Sequence, residues 1–357
     1  MGGNNNPLLT VSWDEGSGSV KLIDQTKLPE NLEYIICNNH NQVADAIKNL
    51  SIRGAPAIGV AAAMGLALCA VNDNSANKKD LLSSLDTAYN ILLQTRPTAV
   101  NLKWGLDKVM EESGKHETVQ GIKENLVKLV KEMSDDDIQT NKNMGRFGSH
   151  LIDNGDVIMT HCNAGALATV SYGTALGVIR SAKDSGKKIS VFATETRPVM
   201  QGSRLTAFEL VHDEIDVSLV PDTAVGHLMA NNMIDKVIVG ADRILKTGHV
   251  FNKIGTYQVA LLANSHNIPF YVAAPLSTFD LKQDDPDKIV IEERSVEEVV
   301  KIGGKRIAPK GVRIFNPAFD LTPPNLITGI ITEKGVLKPP FEKSISEAFG
   351  IDEQSGL

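Results

Sequence analysis

Residues Asp156–Thr169 read DVIMTHCNAGALAT, a stretch that opens as a strand and closes in a small-residue turn. A short apolar run of this kind is buried on both faces, which places it in a parallel sheet covered by helices. Four more runs repeat the pattern downstream: KISVFAT (188–194), EIDVSLVP (214–221), DKVIVGA (235–241) and IPFYVAA (268–274). Helical stretches separate them. Strict alternation of this kind predicts a doubly wound, Rossmann-like sheet. Ligands of such sheets bind outside the C-terminal ends of the strands. The residues that follow each strand therefore belong together: His161 to Gly165, Glu195-Thr196-Arg197-Pro198, Asp222-Thr223, and Gly240-Ala241-Asp242-Arg243. No GxGxxG follows the first of these strands, so a dinucleotide is not expected.

Upstream the periodicity changes. QVADAIKNL, DLLSSLDTAYNILLQ, NLKWGLDKVMEES and VQGIKENLVKLVKEM place apolar residues at i, i+3, i+4 and i+7, the stripe of an amphipathic helix. Before them, LTVSWDEGSGSVKLID alternates around a Gly/Ser turn and predicts a hairpin. Ser134 followed by three acidic residues reads as the cap of a connecting helix. The expected class is α/β, with a mostly helical N-terminal domain with a short β entry (1–133) preceding a Rossmann-like catalytic domain (134–357). The tail after Gly335 reads as a loosely packed extension.

The chain has 357 residues and a formal charge of −7, from 36 basic and 43 acidic side chains. That balance gives no long-range attraction to nucleic acid or anionic membranes. No apolar run of eighteen residues is read in the sequence, so no membrane span is expected. The start MGGNNNPLLTVSW lacks a basic segment and an apolar core, so no signal peptide is expected. Cys37, Cys69 and Cys162 are too far apart for a CxxC pair or a disulfide framework, which fits a reducing cytoplasm.

Cys162 is the strongest chemical candidate. A small-residue helix start is expected after it, and a helix N-terminus lowers a thiol's pKa; the alternative is a plain core cysteine. His161 precedes it, but neighbours on a strand face opposite ways, so the two do not read as a thiolate–imidazole pair. Asp242 follows a buried strand, where desolvation suits a carboxyl to general acid or base work; the alternative is a structural pair with Arg243. Arg53, Gly54 and Ala55 precede Pro56 and a small-residue helix, a setting that suits phosphate, though a plain helix start reads equally well. Asn252 and Lys253 read as the opening of a helix that could hold an anion. Gln201 is neutral and suits hydroxyls, whereas Arg–Glu pairing between neighbouring loops is the plain reading for most of Glu195, Arg197 and Arg204. Arg96, where Pro97 stops a helix, reads locally as an arginine meeting the last carbonyls. No histidine shows metal-ligand spacing.

RGAPAIG (53–59), THCNAGALAT (160–169), ETRP (195–198) with QGSRLTAFEL (201–210), GADRI (240–244), NKIGTY (252–257) and FDLTPPNLITGIITEKG (319–335) together resemble the methylthioribose-1-phosphate isomerases. That group shares its fold with ribose-1,5-bisphosphate isomerase and with the regulatory subunits of the exchange factor for eukaryotic initiation factor 2. The resemblance implies a cytoplasmic homodimeric isomerase of methionine salvage that uses no cofactor and no metal. It implies that Cys162 and Asp242 are catalytic, and that Arg53, Gly54, Ala55, Arg96, Gln201, Asn252 and Lys253 contact substrate. The alternatives are a ribose-1,5-bisphosphate isomerase and a non-catalytic regulatory subunit.

Overall fold

The computed structural model describes residues 7–97 and 99–351. The expectations for Met1–Asn6 and for the end of the tail lie outside the described residues. The chain forms two compact units: residues 1–143 with 164–177, and residues 144–163 with 178–357.

The first unit begins with β1 (Val11–Asp14), β2 (Ser19–Ile23) and β3 (Tyr34–Cys37), an antiparallel sheet in that order. Five helices follow: α1 (His40–Lys48), α2 (Ala55–Asn72), α3 (Lys78–Leu93), α4 (Val100–Gly114) and α5 (Val119–Ser149, whose last residues belong to the second unit). The helix α2 is apolar on every side because it is the centre of this unit. Every residue from Ala57 to Ala70 is buried, and α1, α3 and α4 pack around it. By length and composition α2 would also pass for a membrane span, which corrects the expectation that no such stretch exists; its burial inside the unit accounts for its composition. No helix starts at Ser134. That residue lies inside the 31-residue α5, where the tertiary setting overrides the local capping signal.

The second unit contains β4 (Val157–Thr160), α6 (Ala175–Asp184, whose first turn belongs to the first unit), β5 (Ser190–Thr194), α7 (Ala207–His212), β6 (Asp216–Val220), α8 (Val225–Ala230) and β7 (Lys236–Val239). It continues through β8 (Arg243–Leu245), β9 (Val250–Lys253), α9 (Thr256–Ser265), β10 (Phe270–Ala273) and β11 (Phe279–Asp280). Then come α10 (Glu297–Val300), β12 (Lys301–Ile302), β13 (Lys305–Arg306), β14 (Phe319–Thr322), β15 (Gly329–Thr332), β16 (Gly335–Leu337) and α11 (Phe341–Phe349).

Seven strands form the main sheet in the order β16-β15-β10-β7-β4-β5-β6, parallel except for β16. All five strands read from the sequence are in it. A second sheet, β11-β8-β9-β14, is an addition the sequence reading did not anticipate. Strand β6 is not buried on both faces as expected: it is the sheet edge, and Leu219 is exposed. The tail after Gly335 is not loose through its described part. It supplies β16 and α11, and α11 buries Phe341 and Ile345 in the sheet's core cluster.

Candidate active site

Four parallel strands, β7, β4, β5 and β6, lie side by side, so their C-terminal ends form one rim. Cys162 leaves β4 there. It is buried, and its φ of 66° is left-handed, a conformation that costs a side chain-bearing residue about 1–3 kcal/mol. Two hydrogen bonds hold it. Its N–H donates to Thr196 Oγ1 at 2.9 Å, and its carbonyl accepts from Thr206 Oγ1 at 2.6 Å. No helix begins after it. A three-residue 3₁₀ turn, Ala166–Ala168, follows, and α6 starts only at Ala175. The expected helix-terminus effect on the thiol therefore has no structural basis.

Just past the next strand, β5, Thr196 is itself left-handed, with φ of 59°, unusual for a β-branched residue. Asp222, at the end of β6, clamps this turn: its carboxylate accepts from Thr196 N at 2.8 Å and from Arg197 N at 2.7 Å. The Arg197 guanidinium donates to main-chain carbonyls, Pro198 at 2.6 Å and Val299 at 3.1 Å, in place of the Arg–Glu pairing expected from the sequence.

Gln201 is 7% exposed, and its Oε1 accepts no hydrogen bond among the described residues. An orphaned buried acceptor of this kind calls for a donor that the folded chain does not supply, such as a hydroxyl. The five residues after it, Gly202–Thr206, form a π-helical turn, a distortion frequent at functional sites. Close packing explains Gly202. A Cβ there would sit 1.7 Å from Thr194 O.

Asp242 leaves β7, the neighbour of β4. It is partly buried, and its N–H donates to Phe251 O at 2.9 Å. Arg243 pairs with Asp280 at 3.3 Å. Asn252 and Lys253 do not open a helix: they end β9, and α9 begins three residues later. The α9 N-terminus is also already served. Asp320 accepts from Gly255 N at 2.7 Å and Tyr257 N at 3.1 Å, which corrects the idea of a vacant anion site there. Burial pushes the Asp320 carboxyl up to about 6, against those two amide bonds and the charge of Lys253. Lys253 Nζ donates to Ala318 O at 3.0 Å and lies 4.6 Å from the Phe319 ring centre, while Asn252 Nδ2 donates to Thr256 Oγ1 at 3.0 Å.

Behind the cysteine turn is a buried charge cluster that the sequence did not reveal. Asn163 Nδ2 donates to Glu209 Oε1 at 2.8 Å, Arg180 donates to Glu209 Oε2 at 2.7 Å, and Arg180 Nε donates to Asp213 at 2.7 Å. His161 turns away from the thiol, as expected. Its ring bonds to Thr194 Oγ1 at 2.6 Å and to Ile254 O at 2.9 Å.

The remaining expected residues belong to the first unit. Gly54 has φ of 97° and is the N-cap of α2; Ala55 is the first residue of that helix, Pro56 lies in its first turn, and no side chain caps it. The glycine is required by packing. A Cβ at Gly54 would lie 2.4 Å from both Cα and O of Ala168. Arg53 is partly buried beside it, and Arg96 is partly buried just after α3 ends at Leu93.

Residues 51–339 match the sequence model of the initiation factor 2 subunit family. The chain is 52% identical over 345 residues to a methylthioribose-1-phosphate isomerase of Thermotoga neapolitana, covering 96% of this chain and 98% of that one. Among solved structures, 5-methylthioribose 1-phosphate isomerase from Pyrococcus horikoshii aligns with a TM-score of 0.88 at 43% identity, covering 96% of each chain. A structure described as translation initiation factor eIF-2B, subunit delta, from A. fulgidus aligns with a TM-score of 0.86 at 49% identity, covering 96% of this chain and 99% of that one. The chain belongs to the initiation factor 2 subunit family and, within it, to the methylthioribose-1-phosphate isomerases.

Proposed function

We propose that this protein converts 5-methylthioribose 1-phosphate to 5-methylthioribulose 1-phosphate, a step of methionine salvage. The observation that carries the reading is the placement of Cys162 and Asp242 at the C-terminal ends of adjacent central strands, with Cys162 buried and left-handed. Backbone strain of this kind clusters at active sites.

The substrate's C1 is locked as a glycosyl phosphate, so there is no free aldehyde. Asp242 protonates the ring oxygen as the ring C–O bond at C1 breaks. A hydrogen then moves from C2 to C1, and the C2 hydroxyl gives up its proton to the Asp242 carboxylate left by the first step, which leaves the ketone and restores the acid. Cys162 is the base if the hydrogen moves as a proton through an enediol-like intermediate. A direct hydride shift needs a dry pocket instead, and deuterium uptake at C1 from D2O separates the two routes. Gln201 Oε1 accepts from a sugar hydroxyl. Arg53, Arg96 and Lys253 balance phosphate charge, and Gly54, Ala55 and Asn252 complete the substrate contacts. The reaction as written uses no metal or cofactor.

We also infer a cytoplasmic homodimer with no affinity for nucleic acid or membranes. Three buried, unpaired thiols suit a reducing compartment. Tyr257 and Leu261, one turn apart on α9, expose apolar surface that a second copy would cover.

The test is steady-state turnover on 5-methylthioribose 1-phosphate beside ribose 1,5-bisphosphate. Preference for the thioether sugar, abolished in Cys162→Ser, supports the reading. Preference for the bisphosphate replaces it with the neighbouring isomerase activity. Silence on both favours a regulatory subunit.

A further inference from the structure

A continuous line of hydrogen bonds runs under the rim, from the Cys162 turn to the turn that follows Lys253. Cys162 N–H donates to Thr196 Oγ1 at 2.9 Å. Thr196 Oγ1 lies 3.1 Å from Thr194 Oγ1 and 3.3 Å from Thr194 O. Thr194 Oγ1 lies 2.6 Å from His161 Nδ1, and His161 Nε2 lies 2.9 Å from Ile254 O. Elementary donor accounting fixes the direction. Ile254 O can only accept, so Nε2 carries the ring hydrogen. Burial lowers the pKa of His161, outweighing the Ile254 bond and the charge of Asp222, so the ring is neutral and Nδ1 is a bare acceptor. Thr194 therefore donates to Nδ1, the single Thr196 hydroxyl hydrogen is shared between Thr194 Oγ1 and Thr194 O, and Cys162 N–H donates to Thr196 Oγ1.

None of these side chains is exposed: His161 is 2% accessible, Thr194 1% and Thr196 0%. The two residues at the Cys162 end are those in the costly left-handed conformation, Cys162 and Thr196. At the other end, the Gly255 backbone lies so close that a Cβ there would be 3.0 Å from two ring atoms of His161. The line thus joins two segments 93 residues apart, one carrying the thiol and the other carrying Asn252 and Lys253.

We propose that His161 and Thr196 are positioning residues, which hold the Cys162 turn and the Asn252–Lys253 strand end at a fixed separation without touching substrate. The proposal rests on the functional reading above for the roles of Cys162 and Lys253. It makes the two ends of the imidazole separable: the Nδ1 side serves the thiol and hence kcat, and the Nε2 side serves Lys253 and hence KM.

Asparagine and glutamine split the ring chemically. An Asn amide overlays Nδ1 and a Gln amide overlays Nε2. His161→Gln keeps a donor for Ile254 and loses the Thr194 bond. We expect kcat to fall about tenfold with KM within about threefold, the scale of one buried donor left unmade. His161→Asn keeps the acceptor for Thr194 and loses Ile254. We expect the reverse, with KM up about tenfold and kcat within about threefold. Thr196→Val should lower kcat about tenfold or more, and Thr196→Ser should recover most of that loss. A separate readout does not depend on the substrate. Alkylation of Cys162 by iodoacetamide, located by mass spectrometry, should run at least about fivefold faster in Thr196→Val than in wild type and near the wild-type rate in Thr196→Ser. Kinetic effects that track the loss of melting temperature equally in kcat and KM overturn the proposal, as does an unchanged alkylation rate in Thr196→Val. If wild type is inactive on the sugar phosphate, the function fails, and the alkylation rates alone decide this proposal.

Discussion

Replacing Gly54 with alanine tests whether packing or ligand approach requires the glycine in the RGAPA turn. Two costs add. Alanine at φ of 97° and ψ of 133°, an extended positive-φ conformation that glycine adopts readily and side chain-bearing residues do not, loses about 1–3 kcal/mol of backbone energy. Its Cβ would also stand 2.4 Å from the Ala168 Cα and carbonyl oxygen, about 1 Å inside normal contact, and relieving that against main chain costs about 1–3 kcal/mol more. A loss of about 2–6 kcal/mol is expected, with a displaced Arg53 and a raised KM. Gly18→Ala is the control. Its φ is 62°, but nothing lies within 4 Å of the added Cβ, so it should lose only the backbone cost, about 1–2 kcal/mol. The assay is urea unfolding of both variants, comparing midpoints at unchanged slope, with KM measured alongside. Equal midpoint shifts for the two variants, or a Gly54→Ala protein that keeps wild-type stability and loses only substrate affinity, would refute the packing argument.

Three further outcomes follow from buried polar groups. Burial pushes Asp137 up to about 7, against bonds from Val170 N and Asn141, so the folded state keeps a proton that the unfolded chain releases near pH 4. Stability should therefore drop by about 4 kcal/mol between roughly pH 4 and pH 7 and level off above, and Asp137→Asn should flatten that slope in urea titrations across pH. Gln201→Met removes the orphaned Oε1, so thermal unfolding should show about 1 kcal/mol of added stability while KM rises at least about fivefold. Arg180→Met strands Glu209, which is 0% exposed, and should cost about 3–5 kcal/mol in urea; adding Glu209→Gln should recover most of it.

The sheet was legible because its strands are apolar runs between helices, and the register of parallel neighbours then put Cys162, Thr196, Asp222 and Asp242 on one rim. What failed was local reasoning where packing decides. Ala164–Gly177 has helical composition, yet Tyr172 and Gly173 take positive φ and the segment joins the first unit instead of forming a helix on β4. Asn252 and Lys253 look like a helix start until Asp320, 65 residues away from the Gly255 it caps, is seen to serve that terminus. The role expected of Arg96 came from resemblance alone, since its own neighbourhood reads as an ordinary helix end. The His161 line joins positions 161, 194, 196 and 254, a pairing that no periodicity encodes.

The most direct test of the central claim is product identity. Purified protein is incubated with 5-methylthioribose 1-phosphate, and the mixture is followed by 13C and 31P NMR, with Cys162→Ser in parallel. The account predicts a new ketone carbon at C2 with phosphate still bonded to C1, formed by wild type and not by the variant. Release of free phosphate, an unchanged substrate, or equal ketose formation by Cys162→Ser would contradict it.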